Sequence, residues 1–253
     1  MSEKKIRKMM VFLVALALLP ALTIFLQAEG AADKTFMFPE KDFETPEAAI
    51  NHFITRLAAD DLAGAFEACA VNEGDRFDFK AMAKRLNAIA LYTSLAPSQS
   101  PLLGQVNRIT MLYRLANQVK FMIYSLLTDI PIDGRTIANP DEQMLDSFVK
   151  NADSRNLAGL TVVKIRLPAS EEIYNSERAK KVFVEQARLY GADDTAERLV
   201  LYRLNGRLYA GGVHLLRYGR YWRIDSLNSA FANTSGLGNV GSITEEQFDR
   251  VDY

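Results

Sequence analysis

His214 and Asp225 are the pair of side chains in this sequence best suited to moving a proton. An imidazole held by a carboxylate can be oriented and charged for general acid–base work. They lie 11 residues apart, on either side of a Gly219 turn, so a two-residue turn there brings them to one face of a hairpin. Arg223 and Glu197 have the parity to join them. The same four residues would equally make an ordinary cross-strand ion-pair cluster. Tyr202, Tyr209 and Trp222 share the opposite face and would either line a ligand cleft with polar tips or pack as core.

Other chemistry is harder to assemble. Two histidines, His52 and His214, and one cysteine, Cys69, cannot build a zinc cluster from nitrogen and sulfur alone. The acidic pairs Asp60-Asp61, Glu171-Glu172, Asp193-Asp194 and Glu245-Glu246 are adjacent in sequence and point apart on a helix, so no metal site is expected. No Gly-rich phosphate loop, Gly-x-Ser-x-Gly elbow or His-Glu-x-x-His is present, and no cofactor is expected. Cys69, between Ala68 and Ala70, reads as a buried residue on a short helix that begins near Leu62.

The elements that must position these residues follow from periodicity and turn chemistry. Arg198–Leu204, Arg207–Tyr218 and Tyr221–Leu227 read as three strands of an antiparallel meander. Asn205-Gly206 is a two-residue turn that pairs Leu204 with Arg207 and Tyr202 with Tyr209. One face then carries Val200, Tyr202, Tyr209, Val213, Leu215, Trp222 and Ile224. The other carries Leu199, Leu201, Leu208, Ala210, His214, Leu216, Tyr221, Arg223 and Asp225. Both are apolar enough to need cover.

Upstream, Thr45-Pro46-Glu47 opens a helix with Ile50, Phe53, Ile54 and Leu57 on one side. Residues 78–91 are predicted helical, with Phe79, Met82, Leu86 and Ile89 on one face. A long helix spans about 102–128, after a Pro/Ser punctuator. Ile130–Asn139 is a loop and a short helix follows Pro140. Leu160–Leu167 is a strand, and Ser176–Tyr190 is an amphipathic helix closed by Gly191. Residues 33–44 look like a linker, and 228–253 like a mostly exposed, flexible tail.

The opening Thr45–Asp61 and the ending Gly212–Asp225 resemble the first helix and the last hairpin of the NTF2-like superfamily, of SnoaL-like or cystatin-like fold. The resemblance implies an α+β cone over 45–227, with a curved antiparallel sheet around helices and a helical insertion at about 78–157. It also implies that the second sheet face commonly meets another subunit. It implies nothing specific about activity.

Lys4, Lys5, Arg7 and Lys8 precede the uncharged run Met9–Ala28, with small residues after it. Residues 1–32 therefore read as a signal peptide or a membrane anchor, and the remainder as extracytoplasmic, secreted or tethered by residues 9–28. Residues 1–30 hold those four basic residues and two acidic ones, Glu3 and Glu29. The totals of 30 and 31 thus fall to 26 basic and 29 acidic beyond them, too little positive charge for a nucleic-acid partner. The expected function is a binding module of the cell envelope, partnered by itself or by an envelope protein. A small-molecule carrier or enzyme using His214 and Asp225 is the alternative. A third reading is a structural envelope part whose long helix docks onto a membrane protein, and an exposed apolar stripe on 102–126 would favour it.

Overall fold

The computed structural model describes residues 37–91, 95–128, 137–234, 237–238 and 241–250. The leader expectation and most of the 130–139 loop lie outside these residues. Eight α-helices are described: α1 (Pro46–Ala58), α2 (Leu62–Phe66), α3 (Phe79–Leu86), α4 (Pro101–Leu127), α5 (Glu142–Asn151), α6 (Glu171–Tyr174), α7 (Glu177–Leu189) and α8 (Glu245–Arg250). Among the described residues none is long and apolar enough to cross a membrane.

Four strands, β1 (Thr161–Arg166), β2 (Asp194–Leu204), β3 (Arg207–Tyr218) and β4 (Tyr221–Ser226), form one antiparallel sheet in the order β1-β2-β3-β4. The fold class is α+β, as expected. Asn205 and Gly206 both take positive φ, which gives the type I′ geometry that suits a twisted hairpin. The pairs Leu204–Arg207, Tyr202–Tyr209 and Leu201–Ala210 follow from it. At the next turn Tyr218 pairs with Tyr221, so the face assignment carries into β4. Strand β2 begins at Asp194, four residues before the expected start.

On the first face, Val200, Tyr202, Val213, Leu215 and Ile224 pack against α1, α2 and α4 through Ile50, Phe53, Phe66, Leu115 and Val119. Thr45 caps α1 through its Oγ1, with Pro46 in the first turn as its fixed φ favours. Three polar residues on the inner side of α4 are explained by backbone they hold. Asn107 bonds Gly74 and Ala96, Arg108 reaches the Asn72 carbonyl and Asp75, and Gln118 accepts from Leu227 N–H.

The second face is covered by the chain itself. Leu216 joins Phe77, Met111 and Ala187 of α7, while Leu199, Leu201 and Ala210 pack on Leu237 and Phe248. Residues 228–250 are therefore not the exposed tail their Gly/Ser/Asn content suggested. Phe248 is 1% exposed, and Ile243 bridges Leu208 in the ladder. Residues 38–43, expected as a linker, are bonded into the body: Phe38 exchanges hydrogen bonds with Asn72, Lys41 N–H donates to Glu67, and Trp222 N–H donates to Phe43.

Two further expectations are corrected. Helix α3 stops at Leu86 because Asn87 adopts the left-handed conformation and closes it, which leaves Leu86 and Ile89 exposed. Cys69 is buried as expected but lies beyond α2, in a parallel bridge to Ile224 that covers the free edge of β4.

Candidate functional site

Strand β3 supplies His214 and β4 supplies Asp225. Between them the ladder slips: Leu215 pairs with Ile224, but His214 pairs with Ser226. Asp225 is the extra residue of a β-bulge, which frees its carbonyl and re-aims its side chain. His214 Nδ1 lies 3.1 Å from Asp225 Oδ2. A carboxylate only accepts, so Nδ1 carries the hydrogen. The Gln186 amide nitrogen, on α7, faces His214 Nε2 at 3.2 Å and donates to it. Arg114, on α4, reaches Asp225 Oδ1 at 2.6 Å and the bulge carbonyl at 3.2 Å.

The electrostatics follow from this enclosure. Burial alone would raise the Asp225 pKa. The Arg114 guanidinium and the His214 hydrogen bond outweigh it and hold the carboxyl at about 2. Arg114 is raised in turn, chiefly by Asp225. The neighbouring Cys69 thiol is pushed up by burial and then by the Asp225 charge, which keeps it from acting as a thiolate.

His214 and Asp225 are thus brought together, while the other two expected members are not. Arg223 turns to the Asp42 carboxylate and the Lys41 carbonyl, each at 2.9 Å. Glu197 sits opposite His214 in the ladder, but its carboxylate takes the Asn228 amide at 2.7 Å. Arg114 and Gln186 are the members sequence reasoning missed. The one signal Arg114 gives in the sequence is its place as a charge inside a largely apolar helical stretch.

Tyr202, Tyr209 and Trp222 share no cleft. Tyr202 is enclosed and meets the Phe231 ring edge-on at 5.7 Å. Tyr209 lines a concavity of about 430 Å³ with Leu126, Asn156 and Arg207. Trp222 lines another of about 530 Å³ with Phe183, Arg198 and Arg217. A third, of about 360 Å³, lies between α1 and α4 and is mostly apolar. None of these three touches His214 or Asp225, and His214 is 4% exposed. Among the described residues no group of three or more His, Cys, Asp or Glu is arranged to hold a metal.

An open apolar stripe runs along the outer side of α4. At 3.6 residues per turn, Leu102, Val106, Ile109 and Tyr113 fall within a sector of about 60°, opposite the buried Met111, Leu115 and Met122. They are 69%, 42%, 55% and 68% exposed. Two turns further along the same face is Lys120, after which Tyr124 is covered by Phe148 of α5, ring to ring at 5.0 Å.

No protein-family model matches the chain, and no curated protein matches it. Among solved structures it is similar to a cystatin-like protein from Ruminococcus gnavus ATCC 29149, at 20% identity and a TM-score of 0.49. The similarity covers 85% of this chain and 45% of that one, so this chain spans less than half of that protein.

Proposed function

We propose that this chain is a non-catalytic binding module of the cell envelope, exported or tethered through its first thirty residues, that engages its partner on the outer face of α4. One observation carries the reading: four large apolar side chains at helical spacing stand open to solvent on a helix whose other side is fully packed. A lone exposed leucine is ordinary, but an aligned stripe on one helix is the mark of an interaction surface. The apolar run Met9–Ala28 with its basic flank supports the location.

The small-molecule reading has less behind it. His214 has the carboxylate partner that acid–base chemistry asks for, but Gln186 and Arg114 occupy the polar atoms a substrate would need.

A photo-crosslinking residue at Ile109, in cells producing the full chain, tests the proposal. An adduct there and none at Ile173, which is equally exposed but off the stripe, supports it. An unmodified chain at both positions overturns it.

A further inference from the structure

Tyr209 joins the core to a polar concavity. The residue is 5% exposed and belongs to the main apolar cluster, with Leu126 and Leu204. Its hydroxyl takes no hydrogen bond among the described residues, yet it is not sealed from solvent. A tyrosine this deeply buried ordinarily finds a partner for that oxygen. Phenylalanine would fill the same core position without raising the question.

The concavity that Tyr209 lines, of about 430 Å³, lies where three elements converge. The last turn of α4 brings Leu126 and Leu127 to it, and the β2–β3 hairpin brings Leu204, Asn205 and Arg207. The end of α5 and the short turn Ser154–Leu157 bring Asn151 and Asn156. Asn151 Nδ2 donates to Ser147 Oγ at 3.4 Å, and Asn156 Nδ2 donates to the Asn151 carbonyl at 3.5 Å. Both amide oxygens are left unbonded among the described residues. Asn205 adds a third amide from the turn.

This set of groups selects a ligand chemistry. Amides and a phenol both donate and accept hydrogen bonds. Among the described residues the lining holds no carboxylate, and its one charged side chain is Arg207, too little for a polyanion. The leucines supply a small apolar floor. A sugar ring answers each feature: its hydroxyls donate and accept at the edge, and its C–H bonds form an apolar face. The volume lies in the lower part of the range of roughly 300–1,000 Å³ usual for small-ligand sites.

We infer that the Tyr209 hydroxyl, with the amides of Asn151, Asn156 and Asn205, binds an uncharged sugar ring seated on the leucines of this concavity. The site uses neither His214 nor Asp225. It lies at the far end of α4 from the stripe, roughly 20 Å beyond Tyr113 along the helix, so it stands or falls apart from the partner surface.

The full chain with methyl-labelled leucine is titrated with N-acetylglucosamine and with glucose. The signals of Leu126, Leu127 and Leu204 are expected to shift saturably, with a Kd on the order of 1 mM, while Leu102 stays in place. Tyr209→Phe keeps the ring and should raise that Kd about 3- to 10-fold with unchanged melting. Asn156→Ala, at an exposed position, should act in the same direction. An oligomer of the same sugar that binds more tightly than the monomer identifies a glycan as the source, and equal affinity identifies the free sugar. Signals that saturate with neither sugar overturn the inference, as does a Kd that both variants leave unchanged. Shifts driven by acetate or phosphate instead make this an anion site and overturn it too.

Discussion

Asp225 meets His214 at the point where β4 carries one residue more than β3 across from it. The bulge turns the carboxylate to the imidazole at 3.1 Å and leaves its own carbonyl for Arg114, so one irregularity of the ladder ties two strands to α4.

Removing the shared carboxylate leaves His214 Nδ1 buried without its acceptor and Arg114 with the backbone carbonyl of residue 225. Asp225→Ala is expected to lower stability by about 3 kcal/mol, as for breaking a buried ion pair. Combining it with Arg114→Met should restore part of that loss, because the two residues share one interaction. Urea unfolding of the two single variants and the double variant measures both.

The depressed pKa of Asp225 has a pH signature. Its folded value of about 2 lies below the ordinary 3.8. The unfolded chain therefore binds the proton first, and stability is fully present above pH 3.8 and lost as pH falls toward 2. The contribution is about 2 kcal/mol. Unfolding free energies of the parent chain between pH 5 and pH 2, as order-of-magnitude limits of that window, should fall more steeply than those of Asp225→Asn. Parallel curves would remove Asp225 as the cause.

Gly211 and Gly212 sit in the middle of β3, where glycine weakens a strand unless something approaches closely. A Cβ on Gly211 would fall 2.3 Å from both the Phe231 ring and Ser229 Oγ, and one on Gly212 would fall 2.3 Å from the Asn228 carbonyl. Gly212→Ala is expected to cost about 3 kcal/mol and Gly211→Ala somewhat less, since a ring yields more easily than backbone. Thermal melting distinguishes the order.

Phe248 covers Leu199 and Leu201. Phe248→Ala should cost about 3 kcal/mol, as for other large buried aromatics. Ending the chain after Asn233 should go further and expose the second sheet face, so its mass by light scattering should rise with concentration while that of the full chain rises less.

The sheet was legible where local chemistry dictates it. Asn205-Gly206 can only close a tight hairpin, and the alternation of Tyr202, Val213 and Ile224 then fixes which side meets the helices. The site was half legible: parity brought His214 and Asp225 together, but no residue type announces a bulge, and Arg114 arrives from 111 positions away. Gly- and Ser-rich surroundings masked Leu237, Ile243 and Phe248, which are too widely spaced to form a pattern yet lie on one sheet face. Asn87 ended α3 through a left-handed backbone that apolar spacing alone does not reveal.

The place of Phe248 in the order of synthesis has a consequence for the nascent protein. The strands it shields are finished some thirty residues before it leaves the ribosome, counting from Tyr218. During that interval Leu199, Leu201 and Ala210 form an open greasy surface that nothing else in the described chain covers to the same extent. A chaperone that grips extended polypeptide would find its natural window there, and the docking of α8 would act as the release step.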